Sequence, residues 1–185
     1  MKAREVIRDT VALESYAPVP SLGLLPVNAY LIRAEQPVLI DTSMAVVRDE
    51  FMDSLHAMIQ PADLRWLWIT HGDPEHIGSY QQVLNAAPDL QVVTNFVGVA
   101  KLSLMGLPVD RVYLINPGQT LDVGDRQLVC GRPPIFDAPE TTSIKQPRSW
   151  TAKWAPISAQ MLWARSCHSP LALQKIFRPR PCARA

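Results

Sequence analysis

An α/β fold is what this sequence predicts, and three observations carry the prediction. Between residues 37 and 115, short apolar runs of strand length alternate with segments whose apolar residues recur at helical spacing. A β-rich opening precedes that alternation, and a hairpin pattern follows it. Between an apolar strand and a helix start, in Leu67-Trp68-Ile69-Thr70-His71-Gly72-Asp73-Pro74-Glu75-His76-Ile77-Gly78-Ser79, two histidines and two carboxylates crowd into a few consecutive positions.

The elements follow in order. Val11 to Tyr16 and Leu25 to Ile32 read as strands, and Pro37-Val38-Leu39-Ile40-Asp41-Thr42 as a short apolar strand ending in an acid and a hydroxyl. From Met44 to Ile59 the apolar residues Val46, Val47, Phe51, Leu55 and Met58 keep helical spacing until Pro61 stops the pattern. His56 lies on this helix and reads as an exposed or capped side chain, not a ligand. Trp66 to Ile69 is a buried strand, and Pro74, behind a capping Asp73, opens a helix that runs to about Asn85. Gln91 to Thr94 is a strand, Phe96 to Met105 a short helix, and Arg111 to Ile115 another strand. Asn116-Pro117-Gly118-Gln119 is a turn by composition, and Leu121 to Val129 reads as a hairpin bending at Gly124 and Asp125. Arg132 to Glu140 is a proline-punctuated loop whose two acids, Asp137 and Glu140, can reach a metal.

At 185 residues and 48% hydrophobic content the chain can fill one core. Its apolar runs stop well short of a membrane span, and Met1-Lys2-Ala3-Arg4-Glu5-Val6 lacks the apolar block of a signal peptide, so a cytoplasmic protein is expected. The three cysteines, Cys130, Cys167 and Cys182, have no metal-ligand spacing and read as unpaired thiols. The net charge of +1 hides an asymmetry. Eight of the 18 Lys and Arg but none of the 17 Asp and Glu lie in residues 141–185, so that tail carries +8 and the rest −7. Trp150, Trp154 and Trp163 interleave with these cations, a composition that suits nucleic acid or a membrane surface. An abrupt loss of acids with gain of Arg, Pro, Cys, Trp and Ser is also what a shifted reading frame produces. That is the favoured reading, so neither a nucleic-acid nor a membrane partner is expected.

The chemistry concentrates in the turn. Alternation in an extended segment sends His71, Asp73 and Glu75 toward one side, and the helix start can aim His76 there too. A lone His-x-Asp pair at a strand end is ordinarily a capping arrangement. Four such groups together would cost several kcal/mol if buried without compensation, and metal coordination explains them better.

With the Asp41-Thr42 strand end, the His71 to His76 cluster and the Leu121 to Val129 hairpin in this order, residues 1 to 142 resemble the metallo-β-lactamase superfamily. Its signature is His-x-His-x-Asp-His after a Thr at a strand end. Here Thr70-His71-Gly72-Asp73-Pro74-Glu75-His76 keeps both outer histidines and has Asp at the middle one. The sequence is more similar to the di-iron domain of flavodiiron proteins, which use His-x-Glu-x-Asp-His, although here Asp and Glu stand in reverse order. The resemblance implies an αββα sandwich, represented by its N-terminal half, in a domain over 1–142 followed by the basic tail 143–185. It implies two metals, His71 and Asp73 binding one and Glu75 and His76 the second, with Asp41 orienting the loop from behind the ligands. A later histidine ligand of the family falls at Asp137. Two histidines and two carboxylates form a harder set than three histidines, which makes iron the expected metal, with zinc or manganese as alternatives.

The family's bridging Asp and last His belong to a half beyond this loop, and His168 is the one candidate left, being the sole imidazole of the tail. At most one tightly bound metal is therefore expected. By the resemblance the protein acts on a small molecule, as a metal-dependent hydrolase of an ester, thioester or phosphoester. The alternatives are an oxygen or nitric oxide reductase that needs a redox partner, or an inactive metal-binding remnant. Loss of the second half would leave one face of the sheet without cover, predicting aggregation or a homo-oligomer.

Overall fold

The structure, a computed structural model, describes residues 1–20, 23–134, 138–146 and 156–157. Strands β1 (Lys2–Ile7), β2 (Thr10–Glu14), β5 (Ala29–Ile32), β6 (Val38–Ile40), β7 (Trp66–Trp68), β8 (Gln91–Thr94) and β9 (Val112–Leu114) form one sheet in the order β1-β2-β5-β6-β7-β8-β9. The first half of this sheet is antiparallel, and β6, β7, β8 and β9 are parallel. Parallel neighbours need crossovers, which helices supply: α1 (Arg48–His56) joins β6 to β7, α2 (Pro74–Ile77) and α3 (Tyr80–Ala86) join β7 to β8, and α4 (Phe96–Leu104) joins β8 to β9.

The period of two along each strand sorts the core into two layers. Leu13, Leu31, Leu39, Leu67, Ile69 and Val92 face the helices and pack with Phe51, Leu55, Tyr80, Val83 and Leu102. The alternate residues Ala12, Tyr30, Ile32, Ile40, Trp66, Trp68 and Val93 face the other way. There they meet a second sheet of β10 (Thr120–Asp122), β11 (Gln127–Gly131), β12 (Ser143–Lys145) and β13 (Pro156–Ile157), through Leu121, Leu128, Cys130 and Ile144. The described residues thus supply three layers of an αββα sandwich: helices, the larger sheet and the smaller sheet.

This corrects the expectation of a large sheet with one bare face. Both of its faces are covered, because the β10–β11 hairpin and β12 fold over the side away from the helices. Exposed apolar surface lies elsewhere, at Tyr113 and Leu114 on edge strand β9 and at Phe96, Leu104 and Met105 around α4. No helix among the described residues is long and apolar enough to cross a membrane.

Three local differences from the sequence reading have physical causes. β1 runs along the edge of the sheet with its first four residues exposed, so it has no apolar period to read. The two long strands expected over 11–16 and 25–32 are each divided, because β3 (Tyr16–Val19) and β4 (Gly23–Pro26) pair only with each other in a separate ribbon. The division falls where Val27 N donates to Ser15 O at 2.9 Å and Asn28 Oδ1 accepts from Ser15 N at 3.3 Å. The helix expected from Pro74 to Asn85 breaks between α2 and α3 at Gly78-Ser79. A Cβ on Gly78 would stand 2.1 Å from Ala45 N, so the loop after β6 passes directly over that residue. Gly78 N donates to Ser43 O at 2.8 Å, a bond that replaces continuation of the helix.

Candidate metal centre

The register Ile40↔Trp68 places the ends of β6 and β7 side by side, and the site grows from the segments that leave those two ends. In an open sheet with parallel strands, the carboxyl edge is where loops converge on a ligand. Asp41 leaves β6 with φ +57°, a left-handed conformation that costs a non-glycine residue energy. That turn swings its side chain under the β7 exit. The residue is fully buried, and its carboxylate has three partners: Oδ1 accepts from Thr70 N at 2.8 Å, and Oδ2 accepts from Thr70 Oγ1 at 2.7 Å and lies 2.8 Å from His76 Nδ1.

A carboxylate only accepts, so His76 carries its proton on Nδ1 and its ring lone pair on Nε2. Thr70 extends the arrangement. Its hydroxyl donates to Asp41, and its oxygen lies 3.3 Å from His71 Nδ1, where it accepts a hydrogen bond from that ring in turn. One buried acid thereby sets the tautomer of both imidazoles, whose ring centres are 3.9 Å apart. Backbone bonds clamp the same region: Thr42 N and Thr42 Oγ1 donate to His76 O at 2.7 and 3.0 Å, and Ser79 N donates to Thr42 Oγ1 at 3.2 Å.

Of the residues singled out from the sequence, His71, Glu75 and His76 come together: one ligand atom from each lies within 4.8 Å of the others. Both histidines are buried and Glu75 is half-buried. His56 is exposed on α1 and far down that helix from the turn. Asp73 stands next to the trio, with Oδ2 3.6 Å from His71 Nε2, but its Oδ1 is bound at 3.0 Å to Lys101 Nζ. Asp41 sits behind the ligand atoms, in contact with His76. Asp137 and His168 lie outside the described residues.

The structure adds Lys101, Glu140 and Asn95. Lys101, on α4, also binds Glu140 Oε1 at 2.5 Å. Glu140 is fully buried; Gly72 N donates to its Oε1 at 3.4 Å, and Asn95 Nδ2 donates to its backbone carbonyl at 2.8 Å. Asn95 caps α4 as well, its Oδ1 accepting from Gly98 N at 3.0 Å. The loop carrying Glu140 is fastened further by Thr142, whose N donates to Thr70 O at 2.9 Å and whose Oγ1 accepts from Trp68 Nε1 at 3.0 Å. The second oxygen of Glu140, Oε2, is buried and has no hydrogen-bond partner among the described residues. Burial pushes the Glu140 carboxyl up, but the Lys101 ammonium and the Glu140 and Gly72 backbone N–H groups outweigh it and hold the group below the ordinary carboxylate range. The hydrogen bond to Glu140 raises Lys101 in turn, with Asp73 adding to it against the opposing effect of burial. The sequence signalled Glu140 only as an acid in a stiff loop, and Lys101 not at all.

This donor set fits a divalent ion. Two imidazoles with fixed tautomers and a carboxylate converge, and a buried anion orients the ring of one histidine from behind, as ligating histidines commonly require. Known proteins resemble this chain in sequence and in fold. Residues 22–114 match the family model described as the metallo-beta-lactamase superfamily. A putative diflavin flavoprotein A 3 of Nostoc sp. is 36% identical over 99 residues, which are 53% of this chain and 17% of that protein. A flavo-diiron protein, FprA2, of Clostridium acetobutylicum is 28% identical over 103 residues, 55% of this chain and 26% of that one. Among solved structures, rubredoxin oxygen:oxidoreductase from Desulfovibrio gigas superposes with a TM-score of 0.69 at 20% identity, covering 77% of this chain and 38% of that chain. A flavoprotein from Thermotoga maritima gives 0.70 at 20% identity, over 78% of this chain and 39% of that one. The chain therefore spans well under half the length of each of these proteins. The superpositions speak for the fold.

Proposed function

The chain belongs to the metallo-β-lactamase superfamily, and on that premise we propose that it is a metal-dependent module of the hydrolase type, acting on a small ester, thioester or phosphoester. The observation that carries the reading is the convergence of His71, Glu75 and His76 within 4.8 Å, with the Asp41 carboxylate on His76 Nδ1. These three residues would hold the ion, and Asp73 stands beside them. A bound divalent ion supplies Lewis acidity toward a substrate oxygen and acidifies a water molecule.

The chain's own residues do the rest. Asp41 keeps the Nδ1 proton of His76 in place, and Thr70 passes the same constraint to His71. Asp73, one-third exposed, puts Oδ2 at the mouth of the site, where it can take a proton from water or hold a substrate hydroxyl. The carboxylate share of the ligand set favours iron, with manganese and zinc as alternatives. In this reading Asp137 adds to the ligands, and the division into 1–142 and a basic tail from 143 stands as part of the proposal.

A second reading is favoured by the names of the relatives. Besides the flavo-diiron protein, an anaerobic nitric oxide reductase flavorubredoxin of Salmonella typhi is 29% identical over 116 residues, 24% of its length. On that reading the module reduces oxygen or nitric oxide and draws electrons from a separate donor protein.

The test begins with elemental analysis of the purified chain and of His71→Ala, His76→Ala and His56→Ala. Metal is expected to fall markedly in the first two variants and to stay unchanged in the third, and equal contents in all would defeat the site assignment. Turnover of a thioester or a phosphodiester that disappears with the metal supports hydrolysis. Oxygen uptake under an artificial reductant, without hydrolysis, supports the second reading. Metal binding with neither activity leaves a metal-binding remnant.

A further inference from the structure

Once His71, Glu75 and His76 are assigned to one ion, with Asp41 engaged behind His76, two carboxylates remain at the turn among the described residues, those of Asp73 and Glu140. A second ion at this turn would draw on them. Both are already directed at a single cation, for Lys101 Nζ lies 3.0 Å from Asp73 Oδ1 and 2.5 Å from Glu140 Oε1. The side chain of Lys101 is laid across the turn: a Cβ on Gly72 would be in van der Waals contact with Lys101 Cβ at 3.4 Å and Cδ at 3.6 Å. Its stem therefore passes close over Gly72, and its head is held by two acids, one of them fully buried. A surface lysine in a solvated ion pair has neither feature.

We propose that the Lys101 ammonium is a built-in cation that takes the part of a second metal, so that this turn binds one divalent ion on His71, Glu75 and His76 and excludes a pair. Two consequences of charge support it. A dication placed between Asp73 and Glu140 would have to displace Lys101 Nζ or stand beside it, and the repulsion between a dication and an ammonium a few ångströms apart is large at the effective dielectric of a half-buried site. The lysine also relieves repulsion between the two acids without any metal, which keeps the loop at residues 138–142 seated on the turn when the ion is absent.

The inference rests on the metal-binding reading above, and one experiment separates the two. Metal stoichiometry and affinity would be measured on the full chain by calorimetric titration with Mn²⁺ and with Zn²⁺, together with the electron paramagnetic resonance spectrum of the Mn²⁺ form. The chains compared are wild type, Lys101→Met, Lys101→Gln and Lys101→Arg. Lys101→Gln removes the charge but keeps an NH₂ that can donate to the acids, so it stands in if Lys101→Met does not fold. Wild type and Lys101→Arg are expected to take one ion with an uncoupled manganese spectrum. Lys101→Met and Lys101→Gln are expected to take a second, with affinity for it raised at least about a hundredfold and with spin coupling between the two. One ion in every chain, or two already in wild type, overturns the inference while leaving the metal site standing. No ion in any chain overturns both.

Discussion

Replacing Asp41 by asparagine and by alanine separates what this buried acid does for the fold from what it does for the metal. Its carboxylate serves three donors: Thr70 N at 2.8 Å, Thr70 Oγ1 at 2.7 Å and His76 Nδ1 at 2.8 Å. Alanine leaves all three buried, and each unsatisfied donor costs about 1–3 kcal/mol. The Thr70 hydroxyl can rotate, and removing the carboxylate ends its own desolvation, so the lower part of that range applies. Alanine must also hold φ +57°, which adds about 1–2 kcal/mol. The sum is about 4–6 kcal/mol, comparable with the whole stability of a small domain. Asparagine tolerates the left-handed backbone and still accepts from Thr70 N, so Asp41→Asn costs only about 1–2 kcal/mol. Its amide NH₂, however, then faces His76 Nδ1. To accept that proton the ring must move its own proton to Nε2, the atom that would otherwise bind metal. Metal affinity is expected to fall about 10–100-fold in a chain that remains folded. Urea unfolding followed by tryptophan fluorescence, with Trp66 and Trp68 buried in the sheet, reads the stability, and calorimetric titration reads the metal. An Asp41→Asn chain that binds metal as wild type does, or an Asp41→Ala chain destabilised by less than about 1 kcal/mol, would refute the role given to Asp41.

Gly78→Ala is expected to abolish soluble folded protein or to lower stability by more than about 3 kcal/mol, because the new methyl would lie 2.1 Å from Ala45 N; a near-normal urea midpoint would show that the loop after β6 can move aside. Asn95→Ala removes both the cap of α4 and the anchor of the Glu140 carbonyl, so a loss of about 1–2 kcal/mol is expected from the same measurement. Burial pushes the Cys130 thiol from 9.0 up to about 11. A folded-state pKa above the unfolded one means that the stability tied to this proton is complete below pH 9 and is lost as the pH rises toward 11, about 3 kcal/mol in all. Cys130→Ala should therefore lose stability less steeply than wild type between pH 9 and 11, and parallel curves would contradict the burial of this thiol.

The parts of the fold that were legible are those in which neighbouring residues alone decide the outcome. Leu31 and Leu39 face one core while Tyr30, Ile32 and Ile40 face the other, and that alternation is written in the strands themselves. The spacing of Phe51 and Leu55 likewise fixes which side of α1 is buried. What could not be read depends on residues distant in sequence. Nothing in Pro74 to Asn85 forbids one continuous helix; the break at Gly78 comes from Ser43, Met44 and Ala45 passing over it. β1 owes its existence to pairing with β2, and its exposed Lys2, Ala3, Arg4 and Glu5 carry no pattern of their own. The cover on the second face of the large sheet was missed because Leu121, Leu128 and Ile144 reveal a common inward side only after β10, β11 and β12 have paired.

The same division between local and distant runs through the site. His71, Glu75 and His76 lie within one turn of chain, so their convergence follows from a strand end and a helix start, and the sequence sufficed to find them. The position of Asp41 was legible because an acid at the end of β6 must emerge beside the end of β7 if the two strands pair in parallel. Asp73 shares the turn equally, and local geometry alone gives no reason to separate it from the other three. Its difference comes from α4, where Lys101, 28 residues further on, reaches back to it, and from Glu140, 39 residues beyond that, which holds the same ammonium. A lysine in a helix and an acid in a loop are ordinary by themselves. Only their meeting at one carboxylate turns a cluster that reads as four equivalent ligands into three that converge and one held by a cation.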